Sequence, residues 1–150
     1  MPTIRLETHI DAPIQQCFDL ARNVDVHTES TSRTRERAIA GVTTGLLHLG
    51  DVVTWEAVHF GVRQRLTVRI TEYDRPHCFV DELVRGVFKR LKHVHEFMPC
   101  ADGTLMRDTF DFASPFGPIG ALVDKLVLHR YMRVFLQRRN EFLKELAEQR

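Results

Sequence analysis

No run in the 150-residue chain approaches the roughly 20 consecutive apolar residues of a membrane-spanning helix, so stable membrane insertion is not expected. The opening MPTIRLETHIDAP has no basic segment followed by an apolar run, which argues against a secretory signal and for the cytoplasm. Cysteine is scarce. Cys17, Cys78 and Cys100 form an odd set without CxxC spacing, and free thiols in a reducing compartment are the expected state. Excess charge is also missing: the net value is +1, so there is no bulk attraction to nucleic acid, which is not expected as a partner. Repeats, low-complexity tracts and linkers are absent, and residues 1–150 read as a single domain.

What remains is the composition of a globular protein, 43% apolar and 27% charged, long enough to bury a core. TIRLETHI alternates Ile4, Leu6, Thr8 and Ile10 against charged neighbours, the pattern of a half-buried strand. In DAPIQQCFDLAR, Asp11 is a candidate cap and Pro13 suits the first turn of a short helix. Its stripe of Ile14, Cys17, Phe18 and Ala21 would pack inward. A polar loop with room for one more helical turn follows. From about Arg33 to Phe112 the pattern changes to some six strands broken by glycine, proline and aspartate. Only Phe60 and Gly61 separate DVVTWEAVH from VRQRLTVRI, which predicts a hairpin.

Ser114 and Pro115 can open a final helix, and beyond Gly120 the chain has neither proline nor glycine. Residues Ile119 to Glu148 predict a helix about 45 Å long, with a stripe through Ile119, Val123, Val127, Tyr131 and Val134. Arg130, Arg133, Arg138 and Arg139 read as its solvated face. Consecutive strands followed by a segregated helix indicate the α+β class: a curved antiparallel sheet of about seven strands around one long helix, with short helices after strand 1.

Several segments fall in an order that resembles a known group. They are Val53-Thr54-Trp55, His59-Phe60-Gly61, Phe79 to Glu82, His93 to Phe97, and Pro115 to Gly120. Over essentially the whole chain this order is similar to the START-like superfamily (SRPBCC proteins), with its plant pathogenesis-related allergens of the Bet v 1 type, lipid-transfer domains and polyketide cyclases. The nearest likeness is to its bacterial ligand-binding, polyketide cyclase/dehydrase-like branch. The resemblance implies a helix-grip fold with an internal apolar pocket. It leaves the ligand open, because such folds host many functions.

LKHVHEF carries the most chemistry. Positions two apart on a strand share a face, so Leu91, His93, His95 and Phe97 point one way and Glu96 the other. The more apolar face is assigned to the interior. On the next strand Met106, Asp108, Phe110 and Phe112 form the matching face, with Asp108 its only charge. A buried carboxylate needs a partner, so a contact between Asp108 and His95 or its neighbour is expected across the PCADGT turn. Two histidines at i and i+2 can chelate a metal, with Asp108, Asp81 or His59 as the available third donor. The spacing selects none of them, and no metal and no cofactor are expected. Periodicity does not say whether Asp81 or Glu82 faces inward.

A pocket walled by Leu66, Val68, Phe97, Phe110, Val123 and Val127 suits a small hydrophobic ligand such as a lipid, isoprenoid or aromatic metabolite. His93, His95 and Asp108 are its polar groups, and Trp55 and Tyr131 complete the expected contact set. The favoured function is a non-enzymatic carrier or sensor, monomeric or homodimeric. The alternative is a metal-free cyclase or dehydratase in which His95 acts as general base and Asp108 orients it. A third reading, a protein-interaction module, rests on exposed Leu46, Leu47 and Leu49.

Overall fold

The alternation of TIRLETHI becomes strand β1, Thr3–Ile10, in a computed structural model that describes residues 3–114, 118–119, 122 and 127–149. Helices α1 (Ile14–Ala21) and α2 (Val24–Ser30) and a 3-10 turn (Ser32–Thr34) follow. The six-strand meander then runs β2 (Arg37–Gly41), β3 (Val52–His59), β4 (Val62–Asp74), β5 (Cys78–Gly86), β6 (Arg90–Cys100) and β7 (Gly103–Ala113). Helix α3, His129–Glu148, closes the chain. All seven strands form one antiparallel sheet in the order β1-β7-β6-β5-β4-β3-β2, which is the helix-grip arrangement expected from the segment order.

Irregularities in two strand pairs give the sheet its hollow shape. Register shifts interrupt the β2–β3 pairing at Ala38/Ala40 and the β4–β5 pairing at Thr67/Val68 and Ile70/Glu72. An extra residue on one strand bends it and increases its twist, so these shifts curl the sheet. The hairpin at Phe60-Gly61 forms as expected, with φ of 54° and 74°, the pair of left-handed residues a tight turn needs. At the other end of the sheet a Cβ on Gly103 would sit 2.2 Å from the Ile10 carbonyl oxygen, so only glycine lets β7 start this close to β1.

Phe18 of α1 is fully buried and meets Tyr73, Phe79 and Phe97 edge-on at 5.6, 5.3 and 5.3 Å. This aromatic knot fixes α1 over β4 to β6. The cap expected of Asp11 does not form: Pro13 holds the N-cap position, and the Asp11 N–H donates to Glu148 of α3 instead. Asn23 caps α2, its Oδ1 accepting from the Val26 N–H at 3.1 Å. Asn23→Ala is expected to cost about 1 kcal/mol, read from the urea-unfolding midpoint.

Helix α3 differs from the sequence expectation in phase, while Pro118, Ile119 and Leu122 ahead of it are helical as expected. Its regular α-helical part has 20 residues, and Val127 and Leu128 form a wide π-type turn just before it. Such a turn adds a residue, so a stripe counted from Ile119 at 3.6 residues per turn loses phase there. The buried face is Met132, Leu136, Arg139, Asn140, Leu143 and Ala147, while Val127 and Val134 are 51% and 39% exposed. Val123 and Pro115 lie outside the described residues. The leucine patch is also split: Leu46 and Leu49 are exposed, but Leu47 is buried, its N–H bonded to the Arg22 carbonyl. No described helix is long and apolar enough to cross a membrane.

Candidate functional site

Curling β3 to β7 around α3 leaves a cavity of about 570 Å3 between them. Trp55, Leu66, Val68, Phe110, Met132 and Leu136 supply apolar wall. Phe60 and Val87, lining residues that are 59% and 37% exposed, mark its mouth. Of the residues expected to meet a ligand, Trp55, Leu66, Val68, His93, His95, Phe110 and Tyr131 border this space. Four do not. Phe97 belongs to the aromatic knot under α1, and Asp108 stands behind the histidines. Val127 is turned outward by the π-type turn, and Val123 is not described.

The alternation of β6 does put His93 and His95 on the inner face, 6% and 3% exposed, with their rings stacked at 3.7 Å. His95 also lies flat on Phe79 at 4.1 Å. Of the two histidines expected near Asp108, His93 makes the bond. His93 Nε2 donates to Asp108 Oδ1 at 2.7 Å, whereas His95 Nε2 donates to Asp81 Oδ2 at 2.8 Å. His95 Nδ1, 3.5 Å from Asp108 Oδ1, makes no hydrogen bond. Asp81 is therefore the inward acid of β5, and Glu82 pairs across to Lys92 on the other face.

Two members of the cluster come from α3 and were not foreseen. Asn140 Nδ2 donates to Asp108 Oδ2 at 2.8 Å, and Arg139 Nη1 lies 3.5 Å from Oδ1. Arg139, read from sequence as a solvated cation, is 3% exposed. The missed signal was its spacing from Leu136 and Leu143, which places it on the buried face once that face is correctly phased.

The charges follow from these contacts. Burial would raise the Asp108 pKa, but the bond from His93, the His95 ring beside it and the nearby Arg139 hold it well below the usual carboxylate range. Asp81 is likewise lowered, the His95 contact outweighing burial. Burial and the adjacent His95 push His93 down to about 4, while for His95 the two carboxylates overcome burial and raise the value. His95 thus takes a proton before His93 does. Two carboxylates then balance Arg139 and a protonated His95.

A separate polar pair lies toward the mouth. His59 Nδ1 and the Tyr131 hydroxyl are 2.6 Å apart. Burial lowers His59 and raises Tyr131, so a neutral imidazole accepts from the phenol. His27 pairs with Glu36 beside them, and its ring lies tilted against Trp55 with centroids 4.3 Å apart.

Donor atoms of Asp81, His93 and His95 fall within 4.8 Å of one another, the one such group among the described residues. Three donor atoms of the group, His93 Nε2, His95 Nε2 and Asp81 Oδ2, are already engaged with carboxylate or imidazole partners, and a guanidinium lies beside the cluster. A divalent cation would have to displace the His95 proton and sit next to Arg139. The donor set is better suited to a hydrogen-bonded charge cluster.

A family model described as polyketide cyclase / dehydrase and lipid transport matches residues 1–148. Among solved structures, TTHA0849 of Thermus thermophilus superposes with a TM-score of 0.75 at 20% identity, covering 97% of this chain and 99% of that one. CV1439 of Chromobacterium violaceum gives 0.74 at 13% identity, with coverages of 98% and 97%. Major latex-like protein 151 of Panax ginseng gives 0.65 at 14%, with coverages of 97% and 96%. Likeness at these identities carries the fold and no ligand. No curated protein matches the sequence.

Proposed function

The chain belongs to the polyketide cyclase / dehydrase and lipid transport family, and from that premise we propose that it carries or senses a small, largely apolar molecule held between sheet and α3. The observation behind this reading is a hollow space of about 570 Å3 with a mainly apolar wall and a charge cluster at one position on it. Each 100 Å2 of apolar ligand surface moved into such a space contributes about 2.5 kcal/mol, before the losses of association. The polar groups then fix orientation, since a ligand that leaves them unpaired forfeits hydrogen bonds.

Native mass spectrometry of protein purified from its own cells tests the reading, with Leu66→Trp as the control. The wild type should carry an apolar mass or bind 8-anilinonaphthalene-1-sulfonate at one site. The variant, its cavity filled, should bind at least ten-fold more weakly with a near-native melting temperature. A wild type that binds neither, or a variant that binds equally well, defeats the proposal.

One observation supports a second reading, a cyclase or dehydratase. Both imidazoles border the cavity with a carboxylate fixing one ring nitrogen, the arrangement a general base uses. In that case His95→Gln would abolish turnover of the bound molecule with little change in its affinity.

A further inference from the structure

Two of the cavity's polar positions are tied to the same helix. Tyr131 of α3 holds the His59 imidazole near the mouth, and Arg139 of α3 lies in the inner charge cluster. Eight residues separate them, which is about 12 Å along a helix at 1.5 Å per residue. Between them α3 offers the cavity only apolar groups: Met132, Phe135 and Leu136. On the sheet His59 stands on β3 and Asp81 on β5, and β4 between them lines the cavity with Leu66 and Val68 as well as Gln64 and Arg65.

Each position has unspent hydrogen-bonding capacity. Asp81 gives Oδ2 to His95, and its Oδ1 has no partner among the described residues, while the side chain keeps 19% exposure and borders the cavity. An ionised carboxylate oxygen there accepts from a hydroxyl, phenol or amine. At the mouth, the Tyr131 oxygen donates to His59 and retains its lone pairs, and the other ring nitrogen of His59 has no partner among the described residues. The neighbouring Glu36 carboxylate adds a negative potential that favours a proton-bearing ligand group there too.

We infer that the ligand is a two-headed molecule: an apolar or aromatic body with a hydroxyl, phenol or amine at each end, its length set by the rise of about 12 Å that separates Tyr131 from Arg139 along α3. One head meets Asp81 in the inner cluster, and the other meets Tyr131 and His59 at the mouth. This inference rests on the cavity-binding reading above and narrows it. A simple fatty chain leaves one polar position facing methyl groups. A two-headed molecule satisfies both, so the protein selects against singly polar lipids.

Isothermal titration of the wild-type protein with matched alcohols tests this. The probes are octan-1-ol and octane-1,8-diol, the latter close to the required span when extended. Pentane and dodecane homologues of each serve as short and long controls. The affinity ratio of diol to mono-alcohol should peak at the eight-carbon length, at about five- to ten-fold, the effect of one added hydrogen bond. Tyr131→Phe should bring that ratio toward one. Mono-alcohol binding with a ratio near one or below at every length, or one rising steadily with length, overturns the two-headed assignment and leaves the cavity reading standing. Failure of every alcohol to bind overturns both.

Discussion

Asp108→Ala is expected to remove about 3–5 kcal/mol of folding stability, the range seen when one partner of a buried charge cluster is deleted. The carboxylate is 1% exposed and receives His93 at 2.7 Å and Asn140 at 2.8 Å, with Arg139 at 3.5 Å. Those three groups come from β6 and α3, so Asp108 on β7 is where the sheet and the gripping helix are joined by polar contacts. Truncation leaves a buried guanidinium beside a cavity with only Asp81 and the histidines near it, and strands an amide and an imidazole N–H without acceptors. Desolvation already spent on these groups is then uncompensated. Since small domains hold only about 5–15 kcal/mol in total, the variant should sit close to its unfolding threshold. Urea unfolding followed by circular dichroism measures the difference. Asp108→Asn keeps an acceptor oxygen and should cost less. A loss below about 1 kcal/mol for the alanine variant would falsify the cluster's structural role.

How far the site was legible follows from the same residues. Strand parity was readable on β6 and β7, where Leu91, His93, His95 and Phe97 and then Met106, Asp108, Phe110 and Phe112 are the buried set. Register was nearly readable too, because His95 and Asp108 do stand directly across from each other. The bond goes diagonally to His93 instead, since twist offsets side chains on neighbouring strands and Asp81 on β5 draws the His95 ring the other way. Strand β5 hid its inward acid because it is apolar on both faces: Phe79 and Val80 are each 2% exposed. In α3 the obstacle was the π-type turn at Val127 and Leu128, a backbone event that no hydrophobic period announces. Arg139 was hidden for another reason: it sits in a run of arginines whose other members are exposed, yet it is the one that supplies the cation of the cluster.

Stability should peak near neutral pH and fall steeply on the acid side, with His93 as a main cause. Folding lowers its pKa from 6.5 to about 4, through burial and the adjacent His95, against the pull of Asp108. Between those two values the unfolded chain binds a proton on His93 that the folded chain refuses, so stability declines as pH drops through the window. A single group contributes up to about 1.4 kcal/mol per pH unit, on the order of 3 kcal/mol across it. His95 acts in the opposite sense. Its pKa is raised, so its contribution is complete below 6.5 and is lost as pH climbs through the folded value, which shapes the alkaline side. Asp81 and Asp108 are lowered, so their contributions hold above 3.8 and disappear only in stronger acid. Urea midpoints measured from pH 4 to pH 8 should trace this peak. His93→Gln retains an N–H donor for Asp108 without a titrating ring, and should flatten the acid limb. It should not erase it, because burial also lowers His59 and adds to the same slope. An acid limb as steep in the variant as in the wild type would mean that His93 is free to take its proton in the folded protein, and that the imidazole–carboxylate pair does not hold the inner end of the cavity in the arrangement described.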